Sequence, residues 1–217
     1  MQLPVFPLDV VAFPGMTVPL FIFEARYRRM VKWMLEHDPK RFILVLARPH
    51  EGVADGAAPP IHRVGTVMDV LQLSENVDGT FELLAHGQER VAVQIVHAED
   101  VPERDGSTRA LYFSDYREAP LQRDDPNEEL VVAWDALDSF RRYARAIYAF
   151  DAQDQIDANL PEDLLYQASF VCANVRVPSA SRQVLLEAPS LSARFRLAQK
   201  LMEERIAAHR PASEHDV

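Results

Sequence analysis

Apolar residues along this chain change their period more than once, and each change marks a boundary. From Leu3 to Phe23 they form short stretches interrupted by Pro4, Pro7, Pro14, Gly15 and Pro19. That spacing predicts extended strands separated by turns, the sharpest at Pro14-Gly15, because proline inside a helix or a central strand removes a backbone donor. From Phe23 to His37 the period becomes helical, with Phe23, Tyr27, Met30, Val31 and Met34 on one face, and Asp38-Pro39 ends it. The continuous run from Phe42 to Ala47 suits a central strand covered on both faces. A loop without period is expected over 48–63, then strands over 64–73, 81–86, 90–96 and 112–116, with Asp78-Gly79 as a hairpin turn. Six or more short strands with one early helix predict a closed or nearly closed β-barrel.

The pattern shifts again at 120–126. In Asp125-Pro126-Asn127-Glu128 an acidic N-cap precedes proline at the first helical position, with Glu128 placed to complete an Asp form of the capping box. The predicted helix carries Leu130, Ala133, Trp134, Leu137, Phe140, Ala144, Ile147 and Tyr148 as its apolar stripe. At about 24 residues it would be a rod of roughly 35 Å. Further helices are expected from Pro161 to about Asn174, briefly after Pro178-Ser179, and after Pro189-Ser190, the last with Leu191, Phe195, Ala198, Leu201, Met202 and Arg205 as its stripe. The expected organisation is α+β: a β subdomain over 1–119, a helical subdomain over 120–210 and a disordered tail over 211–217.

Composition narrows the function classes. At 217 residues, 48% hydrophobic and 26% charged, the chain is too apolar for disorder and has no run of the roughly 20 apolar residues a membrane helix needs. With no basic, signal-like start, a cytoplasmic location and no membrane partner are expected. A net charge of −10 opposes general nucleic-acid binding, where a basic surface supplies most of the affinity. Cys172 is the single cysteine, so neither a disulfide nor a CxxC motif can form within the chain. His37, His50, His62, His86, His97, His209 and His215 show neither HxH nor HxxxH spacing, and no metal or cofactor is expected. Cys172 lies in the apolar run Phe170-Val171-Cys172-Ala173, which favours a small buried side chain over a nucleophile. The pairs Asp124-Asp125 and Glu128-Glu129 sit at a helix start, where capping and the helix dipole account for them.

Several phrases are more specific than composition. Leu3-Pro-Val-Phe-Pro-Leu8, Phe13-Pro-Gly-Met16 and Val18-Pro-Leu-Phe-Ile-Phe-Glu-Ala-Arg-Tyr27 set prolines and a glycine at fixed offsets among hydrophobic residues. Val64-Gly65-Thr66, Asp78-Gly79 and a Gly87-x-x-Arg90 turn follow in order, then Leu164-Leu-Tyr-Gln-Ala168, Arg182-Gln-Val-Leu-Leu-Glu187 and the 191–206 helix. Over nearly its whole length the chain resembles the Lon protease N-terminal (substrate-binding) domain family. The resemblance implies a PUA-like β-barrel followed by an α-helical bundle. It also implies a non-catalytic module that binds exposed hydrophobic or unfolded segments of other proteins, with a protease or a chaperone among its partners. Nothing in the sequence corresponds to an ATPase phosphate loop or a Ser-Lys protease module.

Within the best-matching stretch, Arg26 and Arg29 lie beside Phe21, Phe23 and Tyr27. Apolar contact combined with charge can hold an extended peptide, so these five residues are the expected peptide-binding site. Two alternatives stay open: an RNA- or nucleotide-binding PUA-like protein, and a small hydrolase using Cys172.

Overall fold

The apolar run after Asp38-Pro39 becomes β3 (Arg41–Ala47), whose five inner residues are all buried. It lies between β1 (Gln2–Leu8), which runs parallel to it, and β4 (Ile61–Glu75), which runs antiparallel. In this computed structural model residues 2–49, 60–102, 108–148 and 153–209 are described. The chain divides into two compact units, Met1–Pro120 and Leu121–Val217.

The first unit is completed by β2 (Thr17–Ile22), α1 (Ala25–Glu36), β5 (Phe81–Pro102) and β6 (Thr108–Glu118). The strand order is β2-β5-β4-β3-β1-β6, with β5 pairing β6 as well, so the run β1–β3–β4–β5–β6 returns to β1. The length of β5, 22 residues, makes this return possible. Its first part pairs with both β2 and β4, and from Val91 onward it pairs with β6.

Successive side chains of a strand point to opposite faces, and here both faces are buried. Leu3 and Val5, Ile43 and Val45, Val67, Val91 and Val93 form one core. Phe6, Phe42, Leu44, Met68, Phe81, Leu83 and Ala85 form the other, together with Tyr27, Met30, Val31 and Met34 of α1.

Two sequence expectations change in this unit. The strands expected over 81–86 and 90–96 are one strand, and Gly87 lies within it, not at a turn. A Cβ at Gly87 would sit 2.5 Å from the Phe13 carbonyl oxygen, so glycine is required by a close approach of backbone. The loop expected over 48–63 ends earlier, since Ile61 already belongs to β4, and residues 50–59 fall outside the described ones. The turns were legible: Gly15 and Gly79 both take positive φ, 83° and 77°. Asp78 Oδ1 accepts hydrogen bonds from the Thr80 backbone N–H (3.0 Å) and hydroxyl (2.7 Å), closing the β4–β5 hairpin.

The second unit consists of α2 (Pro126–Tyr148), α3 (Gln153–Asn159), α4 (Leu164–Asn174), α5 (Ser179–Leu186) and α6 (Leu191–His209). Asp125 caps α2, accepting from the N–H groups of Asn127 at 2.9 Å and Glu128 at 3.2 Å. The reach back toward the cap comes from Glu129 and not from Glu128. Glu129 Oε1 accepts from the Asp124 N–H and from Arg123 Nε, each at 2.9 Å, and Oε2 accepts from Arg123 Nη2 at 2.6 Å, while Glu128 pairs with Arg196. Arg194, fully buried in α6, donates to the carbonyls of Leu185 and Leu186, each at 3.0 Å, and so satisfies the C-terminal end of α5.

The apolar stripe expected on α2 was too wide. Ala133, Leu137, Phe140 and Ala144 are buried, but Leu130 is 57% and Trp134 71% exposed. The inward arc runs through Glu129, Val132, Ala136 and Tyr143, and Leu130 and Trp134 project from outside it. The sequence reading also missed α3, where Ile156 is the only buried apolar residue among polar ones. The expected disordered tail over 211–217 lies outside the described residues.

Candidate functional site

The five residues expected to bind peptide separate into two groups. Phe21 and Phe23 are 58% and 62% exposed, and their rings lie 6.1 Å apart at an interplanar angle of 28°. Tyr27 is core: its ring sits 4.2 Å from that of Phe6, and its hydroxyl donates to the Pro7 carbonyl at 2.9 Å. Burial pushes the Tyr27 phenol up to about 12, since phenolate would be desolvated there. Arg26 is turned onto local partners, paired with Glu24 at 3.0 Å and lying 4.5 Å over the Tyr27 ring. Arg29 is half-buried on α1. Of the five, Phe21, Phe23 and Arg26 are thus exposed, Arg29 is half-buried and Tyr27 is core.

What does surround Phe21 comes from two strands distant in sequence. Gly87 N–H donates to Met16 O at 2.8 Å, which sets the parity of the β2–β5 ladder. Val18, Leu20 and Ile22 then turn their backbone groups toward β5, and Thr17, Pro19 and Phe21 turn theirs to the free edge. Proline fits there, because its missing N–H removes no bond from the ladder. On the outward face Pro19 lies opposite Leu84, and Phe21 opposite Glu82, which in turn faces Ser74 of β4. These strands form an open groove of about 660 Å³, to whose lining Leu20 and Leu73, packed against the core, also contribute. Among the described residues its single charged lining residue is Glu82, an exposed carboxylate. At the far end the Thr17 hydroxyl and His86 Nδ1 are 3.2 Å apart. Sequence reasoning missed Pro19, Leu84 and Glu82, although the hairpin and the alternation of 81–86 already set Glu82, Leu84 and His86 on one face.

The second unit holds a smaller depression of about 360 Å³ walled by Phe140, Phe170 and Tyr148. The amides at its rim are engaged locally, Asn159 Nδ2 donating to Gln155 O and Asn174 Nδ2 to Phe170 O. Cys172 is fully buried, and desolvation pushes its thiol up to about 12, the reverse of what a nucleophile needs. Among the described residues no group of three or more His, Cys, Asp or Glu is arranged to hold a metal. The arrangement can offer apolar contact, an open strand edge and one carboxylate, which suits recognition more than bond chemistry.

Residues 2–204 match the family described as the ATP-dependent protease La (LON) substrate-binding domain. The chain belongs to the Lon substrate-binding domain family. Among curated relatives, the Lon protease of Xanthomonas oryzae pv. oryzae is 31% identical over 221 residues, covering 95% of this chain and 23% of that protein. The Lon protease of Escherichia coli K12 is 26% identical, covering 94% and 25%. The chain thus spans about a quarter of the length of the Lon proteases it matches. No ATPase or protease module of a Lon protease is present within it. Two solved structures share the fold. The N-terminal domain of Mycobacterium avium complex Lon protease has a TM-score of 0.68 at 16% identity, with 94% of this chain and 99% of that one covered. A Lon N-terminal domain protein from Xanthomonas campestris has a TM-score of 0.56 at 20% identity, with 97% and 99% covered. Membership of this Lon family implies a substrate-recognition role. No helix among the described residues is long and apolar enough to cross a membrane.

Proposed function

We propose that this chain binds exposed apolar segments of unfolded or partly unfolded proteins, and that the outward face of β2, β5 and β4 is where it does so. The observation that carries the reading is the pair Phe21 and Phe23, exposed and stacked beside an open, largely apolar groove. Two large aromatic side chains held in water cost solvation free energy that a partner's apolar residues would recover. Shallow apolar contact of this kind is tolerant of sequence, as recognition of many unfolded chains demands. The closed run of strands is the PUA-like β-barrel of the family resemblance, and the segments it receives are substrates of proteolysis or of a chaperone. An RNA-binding reading gains no support from a groove whose one charge is a carboxylate on a chain of net charge −10.

The test is binding of the purified chain to a reduced, carboxymethylated protein that cannot refold, measured beside the native form of that protein. Preference for the unfolded form, reduced by Phe21→Asp, supports the reading. Equal or absent binding overturns it and leaves the family assignment untouched.

A further inference from the structure

The reading above leaves open how a segment lies and what it must carry, and the edge of β2 speaks to both. β2 pairs with β5 on one side, and the described residues show no strand on the other. Thr17, Pro19 and Phe21 are all exposed, and the ladder parity turns their remaining backbone groups outward. Two N–H groups, from Thr17 and Phe21, and three carbonyls, from Thr17, Pro19 and Phe21, therefore line that edge. Such an edge is a template for a further strand, with Pro19 keeping the ladder short and discontinuous. An added strand would lie one strand spacing, about 4.8 Å, from β2, and its outward side chains would fall beside Pro19 and Phe21. Glu82 stands next in that row, opposite Phe21. Among the described residues it is the only charged one lining the groove, and no ion pair or hydrogen bond engages its side chain.

We propose, resting on the reading above, that the occupant is an extended segment whose outward face carries both apolar residues and Lys or Arg, which adds to the free edge of β2 and sets a cation against Glu82. The main-chain bonds make recognition independent of most side chains, and the carboxylate disfavours acidic segments.

The experiment uses the intact chain and three short fluorescent peptides: one repeating Val-Val-Lys-Lys, so that each face alternates Val with Lys, its counterpart with Glu for Lys, and the Lys peptide N-methylated along one backbone edge. The Lys peptide is expected to bind about fivefold tighter than the Glu peptide, the swing of one exposed charge contact. Glu82→Lys should reverse that order, and Glu82→Gln should remove it. N-methylation should weaken binding about fivefold for each main-chain bond it removes. Equal affinity for the Lys and Glu peptides, or no response to methylation along either edge, overturns the proposal even where unfolded protein still binds through Phe21. Failure of every unfolded ligand to bind overturns the functional reading, and this inference with it.

Discussion

Phe21 and Tyr27 lie six positions apart in the stretch most typical of the family, yet the structure exposes the first and buries the second, and substitution separates the roles proposed for them. Tyr27→Phe deletes one hydroxyl from a residue 8% exposed and removes its 2.9 Å bond to the Pro7 carbonyl. A buried neutral hydrogen bond contributes about 1 kcal/mol net, and a carbonyl left short of a partner raises the loss to about 1–2 kcal/mol. With a urea dependence of about 2 kcal/mol per molar, the unfolding midpoint should fall by roughly 0.5–1 M. Binding of unfolded protein should not change. Phe21→Asp should do the reverse: strand propensity at an exposed edge limits the stability loss to about 1 kcal/mol or less. Losing an aromatic contact should weaken binding by about five- to thirtyfold. Urea titration followed by fluorescence, with anisotropy for binding, measures both. A Tyr27→Phe variant of unaltered midpoint and reduced binding would refute the division drawn here.

Three further outcomes are expected. Gly87→Ala should destabilise the first unit by about 1–3 kcal/mol, because its Cβ would sit 2.5 Å from Phe13 O; a thermal melt unchanged from wild type would contradict the close approach. Arg123 beside Glu129 holds that carboxyl below its ordinary value of 4.5. Its contribution to stability is then present above the unfolded-state value and lost as pH falls through the lower folded-state one, so Glu129→Gln should flatten the acid limb of a stability–pH curve below about 4.5. Trp134→Gln should change stability by no more than about 0.5 kcal/mol and remove the more acrylamide-accessible part of the tryptophan fluorescence, whereas a large loss of stability would return Trp134 to the core.

The sequence alone determined what depends on near neighbours. The positive-φ glycines after Pro14 and Asp78, the Asp125 cap with Pro126 behind it, and the two-sided burial of β3 are consequences of local sterics and local hydrogen bonding. Periodicity failed where two readings share one pattern. Tyr27 and Phe23 both fit the helical face of α1, but only packing against Phe6 and the Pro7 carbonyl draws Tyr27 inward, while Phe23 stops short of the helix and stays in water. Leu130 and Trp134 fit an apolar stripe on α2, yet both stay exposed, because the buried arc runs through Glu129, Val132, Ala136 and Tyr143. The groove belongs wholly to tertiary structure. Phe21, Glu82 and Ser74 become neighbours through strand register, which is set by a hairpin and by the contact of Gly87 with the Phe13–Met16 turn, and no local pattern encodes a pairing across sixty residues.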